Sequence, residues 1–351
     1  MIITKSNDNF LKNESGAVAI ITALVILFVV IGIAALAIDI GKQATASNEL
    51  QNTVDSAALA GAKELALNGH DLSDISDAAV NVAAMNKVDN SYFTLDSSDI
   101  ETGYLSSLSN PLPSLIDPPP SGEDYNAVKV TVNNHGISSF FGQILGINQS
   151  VSAEAITVVG PATRMGGADD ARKLIPIGIK EEVLQDILED DEHRTITKYN
   201  FGTIGAGNWG FINLGWSYGE RPTGYQQSEY IRDGYDNDVS IGQIVHTDTG
   251  ANIGSPGNLR QILGDVLDNY VESGEILYIP VLENILSPGT SEDIEVVNFV
   301  AVIITDYGGS PPTSEFWIEM SLPGQEDVDI GTGPIDLDTD GYGVKNIVLV
   351  N

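Results

Sequence analysis

The chain of 351 residues carries 49 Asp and Glu against 16 Lys and Arg, a formal net charge of −33. Such a surface repels phosphate backbones and anionic headgroups, which excludes a nucleic-acid partner and suits cations, basic partners or a saline exterior. The absence of cysteine removes disulfides, thiolate catalysis and thiolate-bound metals together.

The first predicted element is a membrane helix. Residues 17–38 (AVAIITALVILFVVIGIAALAI) run for 22 positions without a charge, and Thr22 holds the only hydroxyl. At ~1.5 Å per residue this spans a hydrocarbon core of ~30 Å. A cleaved signal peptide has a shorter apolar region, ~7–15 residues, ending in a small-x-small site. Here Asp39, Gly41 and Lys42 continue the same helical register, so the segment reads as an uncleaved signal anchor. Lys5 and Lys12 precede it and Lys42 alone follows closely, which predicts a cytoplasmic N-terminus. Residues 1–16 balance at zero (Lys5 and Lys12 against Asp8 and Glu14), so the excess acid lies beyond the span, outside the inner membrane.

No breaker interrupts the helix before about residue 67. Leu50, Val54, Ala57, Gly61 and Leu65 form one stripe, for which the protein's own head and a neighbouring subunit are equal candidates as partner. Residues 71–87 read as a second helix. The period then changes: 92–95 and 127–132 (AVKVTV) read as strands, 138–145 (SSFFGQIL) as a short amphipathic helix and 151–159 (VSAEAITVV) as a strand. A boundary falls at 161–167. Beyond it, 174–179, 209–214, 276–281, 296–304, 316–320 and 347–350 read as strands, with helices over 181–188 and 258–270.

The first 160 residues resemble the TadG-like branch of the TadE/TadG proteins of tight-adherence (Flp-type) pilus systems. The residues that carry the likeness are Gly16-Ala17-Val18-Ala19, the exit Leu36-Ala37-Ile38-Asp39-Ile40-Gly41, Leu50-Gln51-Asn52, and Asp55-Ser56-Ala57-Ala58-Leu59-Ala60-Gly61-Ala62. The stretch FFGQILG (140–146) before VSAEAITVV is similar to the end of that module. Gly207-Asn208-Trp209-Gly210-Phe211, Pro256-Gly257-Asn258 and Val297-Asn298-Phe299-Val300-Ala301 echo later segments of such chains. The resemblance implies a single-pass envelope protein of the pilus machinery or a minor pilin-like subunit, without catalysis of its own. Prepilins carry Glu at the fifth position after their cleavage Gly; after Gly16 that position is Ile21, which fits a retained anchor.

Four motifs carry candidate chemistry. Asp336-Leu337-Asp338-Thr339-Asp340-Gly341 sets carboxylates at positions 1, 3 and 5 and Gly at 6 of a Ca²⁺ loop, making Asp336, Asp338 and Asp340 candidate ligands; Ile347 stands where the bidentate acid belongs. A hairpin turn at Asp340-Gly341 is the alternative. The acidic loop from Asp233 through Asp236 to Asp238 has the wrong order for such a site. Gly215-Trp216-Ser217-Tyr218-Gly219 matches a nucleophile elbow with His246 downstream, but Pro222 and Gly224 stand where its helix must start. Gly205-Ala206-Gly207-Asn208-Trp209-Gly210 matches G-x-G-x-x-G, yet a strand-like run follows it, so it reads as a turn. His70, His135, His193 and His246 are dispersed and read as surface or turn residues. Trp209 and Trp216 read as core or sheet-face aromatics, and Trp317, sharing a strand face with Glu315 and Glu319, as an interface residue.

The sequence therefore predicts an α+β protein in four parts. They are a tail (1–15), a transmembrane helix (16–39), a stem helix with a small pilin-like α+β head (40–160), and an acidic, mainly-β C-terminal domain (161–351). The expected role is a non-enzymatic scaffold, anchor or minor pilin-like subunit, with the bilayer and other pilus subunits as partners. No small-molecule substrate is expected, and no cofactor beyond the candidate Ca²⁺. The alternative is a Ca²⁺-dependent surface adhesion module on the same anchor.

Overall fold

The computed structural model describes residues 14–68, 71–142, 146–167, 170–189, 195–200, 209–214, 224–247, 258–283, 293–308, 317–323, 328–332, 334–335, 337 and 344–350. The architecture is α+β: a long apolar N-terminal helix followed by mainly-β structure. Helix α1 (Glu14–Asn68) is continuous through 55 residues, about 80 Å of rod. Its apolar half is bare, with Phe28 80% exposed and Ile20, Leu24 and Ile31 all above half. Its second half is sheathed: Ala46, Leu50, Val54, Ala57, Ala58, Ala62 and Leu65 are at most 2% exposed.

The sheath is the chain's own head, which answers the question left by the Leu50–Leu65 stripe. Helix α2 (Leu72–Ala83), capped by the Asp71 carboxylate accepting from the Ser73 N–H, lies along α1. A two-strand hairpin, β1 (Lys87–Val88) and β2 (Ser91–Tyr92), follows; Asp89 and Asn90 at its tip both take positive φ, the geometry of a tight hairpin turn. Then come β3 (Ile100–Gly103), β4 (Ala127–Ile137) and β5 (Gln149–Pro161), an antiparallel run whose inner face packs on α1. Gly61 lets them meet closely. A Cβ there would stand 3.1 Å from a Val128 methyl and 3.4 Å from the Ile75 carbonyl oxygen.

The second unit contains β6 (Arg164–Gly166), β7 (Ile177–Lys180), α3 (Glu181–Glu189), β8 (Thr195–Asn200), β9 (Trp209–Asn213), α4 (Gly224–Asp233), β10 (Asp238–Ser240), β11 (Ile244–Thr247), α5 (Asn258–Ser273), β12 (Ile276–Leu282), β13 (Asp293–Gly308) and β14 (Trp317–Ser321). Seven strands run in the order β11-β9-β7-β12-β13-β14-β8, and β11 pairs again with the start of β13, so five of them close into a ring. Among the described residues of this sheet only the β12–β7 pairing is parallel. Gly178 permits the closure, because Leu282 and Ile212 atoms stand 2.6 and 3.1 Å from where its Cβ would be. One core lies against α3, α4 and α5 (Leu184, Ile231, Leu267, Tyr270), and a second gathers Ile212, Val245, Ile294 and Phe299. Ile318 and Met320 are fully buried, as the alternation in that strand predicts.

The last two strands return to the head. β15 (Gly331–Thr332) and β16 (Lys345–Val350) complete a five-stranded sheet ordered β15-β16-β5-β4-β3, with β16 antiparallel to β5 from Lys345 opposite Pro161 to Val350 opposite Ile156. The head sheet thus takes in residues from both sides of position 161.

Candidate functional site

The polar feature that the fold builds most fully sits where α1 leaves its apolar stretch. Asp39, Lys42, Ala46 and Glu49 recur at three- and four-residue intervals and share one face of α1. Asp39 is 3% exposed. Its carboxylate accepts from the Phe140, Phe141 and Gly142 N–H groups at 2.9, 3.1 and 2.9 Å, and from the Ser139 hydroxyl at 2.9 Å. Consecutive backbone N–H groups converging on one anion form the same cradle that binds anions at helix starts. Here the anion is a side chain of the same protein, reaching across 100 residues of sequence.

One turn further along, Lys42 pairs with Asp89 at 3.0 Å, and its ammonium also reaches the Ser138 hydroxyl and lies 5.1 Å from the Phe140 ring centroid. Asp89 accepts from the Ser138 N–H and hydroxyl at 2.8 and 2.7 Å, while its own N–H donates to Glu49 at 2.9 Å. Burial raises the Asp89 pKa, but the Ser138 donors and the Lys42 charge outweigh it and hold the carboxyl below the usual 3.8. The stem therefore grips two distant segments, the β1–β2 tip and residues 138–142, at the level where the apolar stretch ends. Residues 138–141 are irregular, so the helix expected over 138–145 does not start at its predicted beginning; the capping carboxylate is remote in sequence and left no local signal.

A second polar knot ties the C-terminal unit to the head. Arg172, 6% exposed, donates to both Asp170 carboxylate oxygens at 2.9 Å and to Asn346 Oδ1 of β16 at 2.9 Å. Burial lifts the Asp170 pKa, and the Arg172 guanidinium and N–H more than reverse it. Beside it lies an open cleft of about 670 Å³ whose lining includes Arg164, Asp170, Asp236, Asp238 and Asp329. Asp238 pairs there with Arg164 at 3.1 Å, and Asp233 with Arg232 next to it in sequence. Among the described residues no three His, Asp or Glu side chains converge as a cation site.

Asp336, Asp338 and Asp340 lie outside the described residues, as do Ser217 with its Gly215–Gly219 frame, Trp216, and Gly205 to Asn208. The sheet around the elbow motif is described: β9 pairs antiparallel with both β7 and β11, and His246 stands opposite Asn213. An elbow belongs at the end of a parallel α/β strand, which β9 is not. His135 meets Phe93 edge-on at 5.2 Å, a packing role. The side chains of Trp209, Trp317 and His246 are outside the described set, and His70 and His193 are wholly so. In the sequence Asp39 and the FFG segment stand about 100 residues apart, with no local signal that joins them.

Residues 16–64 match the TadE/G-like Flp pilus-assembly family model, and residues 44–157 match the Tad-like Flp pilus-assembly (Tad_C) model. No curated protein and no solved structure matches the chain. The two matched stretches run from the start of the apolar helix almost to the end of β5, so they take in the helix, the Asp39 cradle and strands β3 to β5 of the head sheet but not β15 and β16. Over residues 16–157 the chain is therefore similar to the TadE/TadG-like Flp pilus-assembly proteins.

Proposed function

We propose that this protein is a membrane-anchored, non-enzymatic structural component of the Flp pilus-assembly machinery, acting as a scaffold, anchor or minor pilin-like subunit. The observation that carries the reading is α1 itself: one 55-residue helix, bare over an apolar length that matches a bilayer and sheathed by its own head immediately beyond. An apolar helix bare along most of such a length, with Ala35 near its end the covered position among the described ones, is stable in lipid, not in water. The head and the acidic unit then stand on the far side of the inner membrane, with the N-terminus cytoplasmic, because the lysines near the span favour its N-terminal side. The partners are the lipid and other pilus subunits.

The test is genetic complementation. Deleting the gene in its host abolishes assembled pili, the full chain restores them, and residues 40–351 expressed on the far side of the membrane do not. Pili restored by that soluble fragment would overturn the anchoring role. In the purified full chain, a fluorophosphonate probe leaves Ser217 unlabelled; labelling that Ser217→Ala abolishes would replace the structural reading with a hydrolytic one.

A further inference from the structure

Building on the reading of α1 as a membrane anchor, we propose that the segment gripped by Asp39 is a second membrane contact, whose Phe140 and Ile147 side chains enter the apolar edge of the leaflet that α1 leaves. Three observations carry this. The first is level. Asp39 is the first charge after the 22 apolar residues, whose ~33 Å length fills a ~30 Å core, and Phe140, Phe141 and Gly142 are bonded directly to it by their backbone. The segment therefore sits at the hydrocarbon boundary and not above it.

The second is exposure. Phe140 is 65% and Ile147 53% exposed, and the Ile147 N–H donates to the Gly142 carbonyl at 2.8 Å, which holds both ends of the segment together. Deeper on the helix, Ala35 is only 6% exposed while its neighbours Ile33, Leu36 and Ile38 are each above half. Ala35 lies one turn below Asp39 on the same face, so protein covers that face within the apolar stretch.

The third is satisfaction of polar groups. An irregular backbone at bilayer depth is costly unless its N–H groups are paired. Asp39 accepts three of them, and the Gly142 carbonyl is used by Ile147. Among the described residues of the segment, Phe140 and Ile147 are the large apolar side chains that face outward. Phe140 also has the Lys42 ammonium at its ring, the pairing of an aromatic with a cation that suits the headgroup level. With a net charge of −33 the body is not drawn down by anionic lipid, so apolar insertion drives the contact.

The chain has no cysteine, so single cysteines can be spin-labelled without background. The full chain is reconstituted in phosphatidylethanolamine–phosphatidylglycerol vesicles. Collisions with oxygen, which concentrates in lipid, are compared with collisions with a water-soluble nickel chelate. Labels at Phe140→Cys and Ile147→Cys give an oxygen-to-nickel ratio several-fold above that of Ile244→Cys on the C-terminal unit, approaching Ile31→Cys inside the span. Watery ratios at 140 and 147 with a lipid ratio at 31 overturn this inference and leave the anchor standing. A watery ratio at 31 overturns the anchor and this inference with it. Adding Asp39→Ala lowers the ratio at 147 and leaves that at 31; an unchanged ratio at 147 overturns the assignment of Asp39 as the residue that holds the segment there.

Discussion

Leu50 and Gly61 make opposite demands on one helix face. Leu50 is fully buried in a cluster with Val54, Phe93, Leu95 and Val130, so Leu50→Ala leaves a cavity that costs about 2–5 kcal/mol in urea unfolding of the detergent-solubilised chain. Gly61→Leu fails for the contrary reason. Its side chain has the Val128 methyl 3.1 Å away at Cβ, and overpacking of that kind costs about 1–3 kcal/mol. Asp89 brings pH into the same region. Its folded pKa lies below 3.8, so its contribution is complete above the ordinary aspartate range and is lost as pH falls through the lowered value. Melting temperature is therefore level from neutrality to about pH 5 and declines below about pH 4, and Asp89→Asn shows a shallower decline. The Leu50–Leu65 stripe was legible because a buried helix face repeats every three or four residues. The Asp39 cradle was not, because its donors lie 100 to 103 positions away and no local period records such a contact.

Among elements, β4, β5, β12 and β13 announce themselves by apolar β-branched runs, and the structure lengthens β5 and β13 at both ends and β4 and β12 at the C-terminal end. β2 is shorter than expected: Phe93 and Leu95 are buried but lie outside the strand, packing on the stem without continuing the ladder. α4 and β8 escaped notice because GYQQSEYIRD and TITKYN are mostly polar, and polar sequence carries little period. The strand character of β16 was readable, its destination was not. Pairing with β5 depends on closing the chain over some 190 residues, which the sequence of neither strand encodes. Lys345 of that strand reaches the Ala66 carbonyl, 3.5 Å away, near the end of α1, a helix with no basic residue in its own last turn. β16 also supplies Asn346 to Arg172. Arg172→Ala, which leaves Asp170 with its backbone donors but without its cation, is expected to cost about 3 kcal/mol and to loosen both units together, seen as lost amide-exchange protection in β16 as well as around residues 170–175.

At the scale of the whole molecule, the order of parts (apolar helix, stem, head, β-rich unit) followed from hydropathy, period and the family likeness, whereas the return of the C-terminus to the head did not. The surplus of acid makes the folded body repel itself. Raising salt from about 10 mM to about 150 mM shortens the screening length from about 30 Å to about 8 Å and raises the melting temperature of the full chain. A chelator leaves that temperature unchanged if the acidic loop at Asp336, Asp338 and Asp340 is only a turn, and lowers it if the loop holds Ca²⁺. The unbroken course of α1 has a mechanical consequence. With no hinge between lipid and head, the part beyond Asp39 is a lever arm of about 45 Å, so each 10° of leaning by the buried segment swings its outer tip by about 8 Å. Local bilayer thickness, which governs such leaning, thereby becomes a steering input for wherever the electronegative mass points.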